Sequence, residues 1–162
     1  MDSDSQGQTP GVEAPRGMHS GRVDDKGRIK LASVFQQYLE AQPEKKLFVT
    51  SLDGRIAKIY PIAVWRENEK LLQDYRGNPQ SARIVSFNAN RFGADADMDS
   101  QGRVLLPQRM RQTLGIEDST VYVMAKNGSI EIYTEAMYQA WEQMASDGAE
   151  QAVADLESVG LR

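Results

Sequence analysis

The sequence predicts a β-rich α+β fold made of two tandem copies of one small unit, strand–turn–strand–helix–strand–turn–strand, interlocked within one chain and joined by additional helices. Three observations predict it. Asp24-Asp25-Lys26-Gly27-Arg28-Ile29 returns as Asp99-Ser100-Gln101-Gly102-Arg103-Val104, so both copies read Asp-x-x-Gly-Arg and then a β-branched residue. The flanks repeat in the same register: Ile29-Lys30-Leu31-Ala32 answers Val104-Leu105-Leu106-Pro107, and Leu39 answers Leu114, always 75 positions apart in a chain of 162 residues. Self-similarity at a fixed period is the mark of a repeated structural unit. Finally, each unit is too small to bury a good core alone, which interlocking two of them in an internal pseudo-dimer would solve.

Each element has its own signal. Residues 1–15 are rich in Ser, Asp, Gln, Gly and Pro without apolar periodicity, and are expected to be disordered. Met18 to Val23 and Arg28 to Leu31 read as strands joined by Asp24-Asp25-Lys26-Gly27, where Gly27 can take positive φ. Ser33 is expected to cap a helix through Phe35, Tyr38 and Leu39. Leu47 to Thr50 and Ile56 to Tyr60 form a hairpin across Asp53-Gly54, and Pro61 opens a helix with Val64, Trp65, Leu71 and Leu72 on its apolar side. Gly77-Asn78-Pro79 breaks the chain, and a helix is favoured over Ala82 to Phe87. The second unit repeats the order: a strand through Arg91 to Met98, the turn, a strand to Leu106, and a helix from Pro107 to Leu114. A hairpin then turns at Asn127-Gly128, and a helix carries Met137, Tyr138, Trp141 and Met144. The resulting organisation is a tail over 1–15, a unit with its following helix over 16–74, a connector over 75–90, a second unit over 91–146 and an acidic tail over 147–162.

Composition limits the functional classes. The chain has no cysteine, which excludes disulfides and thiolate metal sites and suits a cytoplasmic protein. No apolar run approaches membrane-spanning length, so no membrane partner is expected. The formal charge of −4 argues at first against nucleic acid. Yet Glu142, Asp147, Glu150, Asp155 and Glu157 face only Arg162 at one end, and Asp2, Asp4 and Glu13 face only Arg16 at the other. The body between them is therefore net positive, and a local basic surface is allowed. His19 is the sole histidine, which leaves no pair to hold zinc and one awkwardly placed candidate for a triad. Asp95-Ala96-Asp97-Met98-Asp99 superficially resembles the start of a calcium loop, but Ser100 and Leu106 occupy the positions that need glycine and glutamate. No metal, cofactor, small-molecule substrate or catalytic role is expected.

The repeated turns carry the chemistry. Arg28 and Arg103 follow a glycine turn, where a strand pair can lie against DNA and a guanidinium can bind phosphate or bridge guanine O6 and N7. Lys26 and Arg22 flank the first turn and suit phosphates, whereas the second turn offers Gln101 in place of lysine. The structural alternative is that Asp24–Arg28 and Asp99–Arg103 are ion pairs bracing hairpins. Asp24, Gly27, Asp99 and Gly102 are read as turn-forming in either case. Trp65 and Trp141 follow their hairpins at comparable places and read as core or subunit-interface anchors.

These motifs, with the helix ending Arg111-Gln112-Thr113-Leu114-Gly115-Ile116, resemble AbrB-type swapped-hairpin DNA-binding units. Two such units in tandem, Arg16-Gly17 ahead of the first turn, and Tyr60-Pro61 leading to Trp65 resemble the MraZ family of transcriptional regulators over roughly residues 16 to 144. The resemblance implies double-stranded DNA as partner, ring-like homo-oligomers, and binding to short direct repeats upstream of the cell-division and cell-wall gene cluster, on the nucleoid. It also implies DNA contact by Arg111, and less directly by Arg109, at the helix start. Leu31-Ala32 departs from the family's hydrophobic-Pro pair, as do the N-terminal extension and the acidic C-terminal tail. A reading from a different class is an oligomeric protein-interaction module, an antitoxin-like adaptor.

Overall fold

The computed structural model describes residues 12–162. Eight strands form one antiparallel sheet: β1 (His19–Val23), β2 (Arg28–Lys30), β3 (Leu47–Thr50), β4 (Ala57–Pro61), β5 (Ala94–Ala96), β6 (Arg103–Leu105), β7 (Ser119–Lys126) and β8 (Ser129–Thr134). Five helices accompany them: α1 (Ser33–Glu40), α2 (Ile62–Asp74), α3 (Pro79–Phe92), α4 (Gln108–Leu114) and α5 (Glu135–Glu157). The strand order is β5-β3-β4-β8-β7-β1-β2-β6. Its two end strands are consecutive in sequence, and the Asp99 N–H donates to the Arg103 carbonyl at 2.9 Å, so the sheet curls almost closed.

The pairing shows how the two units depend on each other. β1 pairs with β7, β3 with β5, β2 with β6 and β4 with β8, each a strand of one unit against a strand of the other. The repeat offset relates the first two of these pairings to one another. It also relates two backbone bonds: Leu31 N–H donates to the Gly102 carbonyl at 3.0 Å, and Leu106 N–H to the Gly27 carbonyl at 2.9 Å.

Alternation along the strands sends one face inward. Val23, Ile29, Val49, Ala57, Ile59, Val104, Val121, Ile130 and Ile132 are fully buried. Phe35 of α1 and Met110 of α4, equivalent by the repeat, enter the same core, as do Leu31 and Leu106. Burying a side chain of this size contributes about 1.5–3 kcal/mol, so this core is the main source of stability. A smaller cluster of Tyr60, Ile62, Trp65 and Ala89 lies under α2 and α3. There Trp65 stacks on Phe48 at 4.6 Å, while the Thr50 hydroxyl donates to the Ala89 carbonyl at 2.8 Å and clips α3 to β3.

Several local expectations change. Ala32, not Ser33, is the N-cap of α1, and it makes no side-chain cap bond. Ala32 occupies the place of Pro107 in the second unit, and both hold the extended backbone that carries a strand into its helix (φ −60° and −58°). Arg91 and Phe92 belong to α3, not to a strand, because Phe92 buries itself at helical spacing from Ala89. The second unit's first strand is therefore only Ala94–Ala96. At the other end of the chain, α5 continues through Glu157. Of the tail expected to be disordered, residues 1–11 lie outside the described residues, and Val12 and Ala14 pack against the main core.

α5 leaves the body. Thr134 caps it, accepting from the Met137 N–H at 3.1 Å, and Tyr138 stacks on Tyr122 at 4.0 Å. From Gln139 onward every residue is exposed, including Trp141, Met144, Val153 and Leu156.

Candidate nucleic-acid interface

The two Gly-Arg turns are built alike, bond for bond. In the first, one Asp24 carboxylate oxygen accepts the backbone N–H groups of Lys26 and Arg28, each at 2.9 Å. The other accepts Arg28 Nε at 3.0 Å. In the second, Asp99 accepts the N–H groups of Gln101 and Arg103 at 2.9 Å and Arg103 Nε at 2.8 Å. Glycine is required at both corners: Gly27 has φ +81° and Gly102 φ +77°, a left-handed conformation that other residues adopt only with strain. The backbone N–H groups of Arg28 and Arg103, followed among the favourable causes by the neighbouring arginine and the third turn residue, hold both carboxyls below the usual carboxylate range. The aspartates are thus charged at neutral pH and fix both the turn and the arginine.

This clamp bears on the choice between ion pair and DNA contact. Each aspartate engages the Nε side of its guanidinium, and among the described residues neither arginine's terminal nitrogens, Nη1 and Nη2, donate to any group. The side chains keep 30% and 29% exposure. An oriented guanidinium with a free outer edge can still make a bidentate contact. The two readings of the Asp–Arg pairs are compatible.

Both arginines stand on one two-stranded ribbon. β2 and β6 pair Arg28 with Leu105, Ile29 with Val104 and Lys30 with Arg103. Ile29 and Val104 point into the core at 0% exposure, so Arg28, Lys30, Arg103 and Leu105 share the outer face. Lys30 was not singled out in the sequence, although its position two residues beyond Arg28 places it there by strand alternation. It lies beside Arg103 and offsets the missing lysine at Gln101, so each end of the ribbon carries an arginine and a lysine.

Of the other candidates, Lys26 is exposed on the first turn. Arg22 is exposed on β1, where it donates to the Asp118 carboxylate at 2.6 Å. Arg111 is placed differently. Its side chain is only 14% exposed, donates from Nε to the Leu106 carbonyl at 2.9 Å, and pairs with Glu117 at 2.9 Å. The guanidinium lies directly beneath the first turn, so close that a Cβ on Gly27 would fall 2.3 Å from its central carbon. Its repeat equivalent, Gln36, props the second turn in the same way, donating to the Leu31 carbonyl at 2.7 Å beneath Gly102. Each turn therefore rests on a helix of the opposite unit. The repeat offset that links Gln36 to Arg111 was the available signal for a prop, since charge is not common to the two positions. Arg109 is exposed on α4.

Fold and site together define a class: a pseudo-symmetric, two-unit β protein presenting a basic ribbon between paired Asp-clamped arginine turns. Comparison with known proteins supplies the family. The family described as "MraZ protein, putative antitoxin-like" matches residues 93–157. A protein named transcriptional regulator MraZ from Acidobacterium capsulatum is 37% identical over 129 residues, covering 79% of this chain and 85% of its own. Relatives of the same name from Koribacter versatilis and Thiobacillus denitrificans are 35% and 27% identical, covering 63% and 85% of this chain and 70% and 93% of theirs. The chain belongs to the MraZ family.

Proposed function

We propose that the chain is a transcription regulator that binds double-stranded DNA in a sequence-specific manner, without catalysis or cofactor, through the β2–β6 ribbon and its two turns. The observation that carries this reading is the pair of arginines held by Asp24 and Asp99 with their outer edges free, on one face of one ribbon. A two-stranded ribbon fits the major groove of B-DNA. Arg28 and Arg103 read guanine or grip phosphate, Lys26 and Arg22 contact phosphates, and Arg111 supports the first turn from beneath. On this reading the two units are AbrB-like swapped hairpins, each completing the other.

The exposed apolar residues of α2, α3 and α5 support homo-oligomerisation, with Leu71, Ile84, Phe87, Trp141 and Met144 among them. A ring of such chains would engage several short direct repeats at once, and tethering would supply affinity that one weakly basic body lacks. On this reading the repeats lie upstream of the cell-division and cell-wall gene cluster, and the protein acts in the cytoplasm on the nucleoid. The projecting α5 also favours a second reading, an antitoxin-like interaction module whose DNA contact is incidental.

A salt-dependent gel shift on the DNA upstream of its own gene separates the two. Arg28→Ala/Arg103→Ala is expected to abolish specific binding while particle size and melting temperature stay near wild type. Each lost phosphate contact lowers the slope of log K against log salt by about 0.9, and a lost guanine contact costs about 1–3 kcal/mol of discrimination. Because the first turn also carries Lys26 and Arg22, Arg28→Ala alone is expected to lose more affinity than Arg103→Ala, with Lys30 beside Arg103 narrowing the difference. Normal operator binding by the double variant would remove the ribbon from the recognition surface.

A further inference from the structure

We infer that Leu105 is a specificity-determining residue that contacts the 5-methyl group of a thymine, so that the two ends of the ribbon read different base pairs. The inference rests on the DNA-binding reading of β2–β6 and deepens it. The ribbon's outer face has four positions, and the repeat exchanges them in pairs: Arg28 with Arg103, and Lys30 with Leu105. The first pair is chemically identical. The second is not.

Leu105 is 55% exposed on this basic face, directly across the ladder from Arg28. Directly opposed side chains on an antiparallel pair have Cβ atoms about 5 Å apart, so whatever Arg28 touches, Leu105 also adjoins. A leucine has no hydrogen-bonding group and gains nothing from phosphate. On the major-groove edge of the base pairs the one apolar group is the thymine C5-methyl. A second copy of this face is a poor partner, because Arg28, Lys30 and Arg103 would meet their own like charges. At the other end, Lys30 stands beside Arg103 and suits phosphate or the acceptors of guanine. A rise of about 3.3 Å per residue puts the two ends some two residues apart along the strand, or about two base-pair steps. The footprint of one chain is therefore directional although its backbone is nearly two-fold symmetric.

The test uses the full chain and a duplex that the wild-type protein selects from a randomised library. Each thymine in the footprint is replaced in turn by deoxyuridine, which lacks only the 5-methyl group. Wild type is expected to lose about fourfold in affinity at one thymine position, the worth of one buried methyl. Leu105→Ala, whose fold is checked by circular dichroism, should bind more weakly and show no further loss at that position. Lys30→Ala should retain the loss. A selected footprint without thymine, wild-type binding insensitive to every replacement, or an undiminished penalty in Leu105→Ala would each overturn the inference. These outcomes are distinct from failure of the ribbon reading itself, which would appear as normal binding by Arg28→Ala/Arg103→Ala.

Discussion

Substituting Gly27 by alanine tests the interlocking of the two units more sharply than any core deletion. Two costs add. Alanine at φ +81° is left-handed, which costs roughly 1–2 kcal/mol. Its Cβ would also lie 2.3 Å from the Arg111 guanidinium carbon, forcing that side chain off the Leu106 carbonyl and Glu117. Losing one such hydrogen bond adds about 1 kcal/mol. Gly27→Ala should therefore destabilise the protein by roughly 2–3 kcal/mol, a fall of roughly 5–10 °C in melting temperature for a chain of this size. Urea denaturation of Gly27→Ala, Arg111→Ala and the double variant completes the measurement. Once Arg111 is shortened the collision disappears and only the backbone strain remains, so the double variant should fall short of the summed losses by more than about 0.5 kcal/mol. Gly102→Ala with Gln36→Ala should behave in the same way, since the Cβ there would lie 2.2 Å from the Gln36 amide carbon. Strict additivity in both cycles would mean that the turns do not rest on the opposing helices, and the mutual propping described above would be wrong.

Three further outcomes follow from other parts of the molecule. Because Asp24 and Asp99 have lowered pKa values, their contribution is complete above the usual carboxylate range and lost as pH falls through the lowered folded values. Asp24→Asn/Asp99→Asn should therefore be less stable than wild type at neutral pH, with the difference closing toward strong acid in urea midpoints measured across pH. Trp65, 6% exposed and stacked on Phe48, should cost about 3–5 kcal/mol as alanine, whereas Trp141, 48% exposed, should leave stability within about 0.5 kcal/mol and reduce self-association in sedimentation. Truncation after Asp147 removes only exposed residues, the end of α5 and the five that follow it, and should leave the melting temperature nearly unchanged, while the loss of acidic charge strengthens non-specific DNA binding at fixed salt.

The repeat made much of this fold readable, because a strong local signal recurred in register. Asp-x-x-Gly-Arg marks a turn, and two turns at one offset imply two equivalent strand pairs. The hairpin pairings β1–β2, β3–β4 and β7–β8 were readable from their turns, but the partners across units were not. A three-residue strand such as Arg28–Lys30 or Arg103–Leu105 has too few alternating positions to show which face is buried, and nothing local in β4 announces β8 as its neighbour. Helix ends misled where tertiary context replaced a side-chain cap: at Ala32 the arriving strand fixes the entry geometry that Ser33 was expected to provide. In the site, Arg28, Arg103 and Lys26 stood out by motif. Arg111 was read from the resemblance as a DNA contact at the helix start; its burial beneath the first turn, which the sequence does not display, adds a propping role to that expectation.

A homodimer of single units would be held to identical halves by its two-fold axis, and any ribbon it formed would present the same groups at both ends. Fusion of two units into one chain removes that restriction while keeping the backbone pairing. This chain uses the freedom at the positions around the ribbon: Lys26 against Gln101, Lys30 against Leu105, Gln36 against Arg111. Each substitution leaves the hydrogen-bonded frame intact, as the matching Asp24 and Asp99 turns demonstrate. On the proposed reading, the result is a DNA-facing surface with a direction. Directional contacts suit sites repeated head to tail, whereas symmetric contacts suit palindromes. On the same proposed reading, subunits arranged head to tail in a closed ring would present such surfaces in a consistent sense, so that the divergence at Lys30 and Leu105, binding to direct repeats and a ring would form one structural requirement. Replacing Leu105 by lysine would make the two ends alike at this position, and a library selection with that variant should return a footprint closer to a palindrome than the wild-type site. An unchanged, directional footprint would show that the direction is set elsewhere, at Lys26 and Gln101.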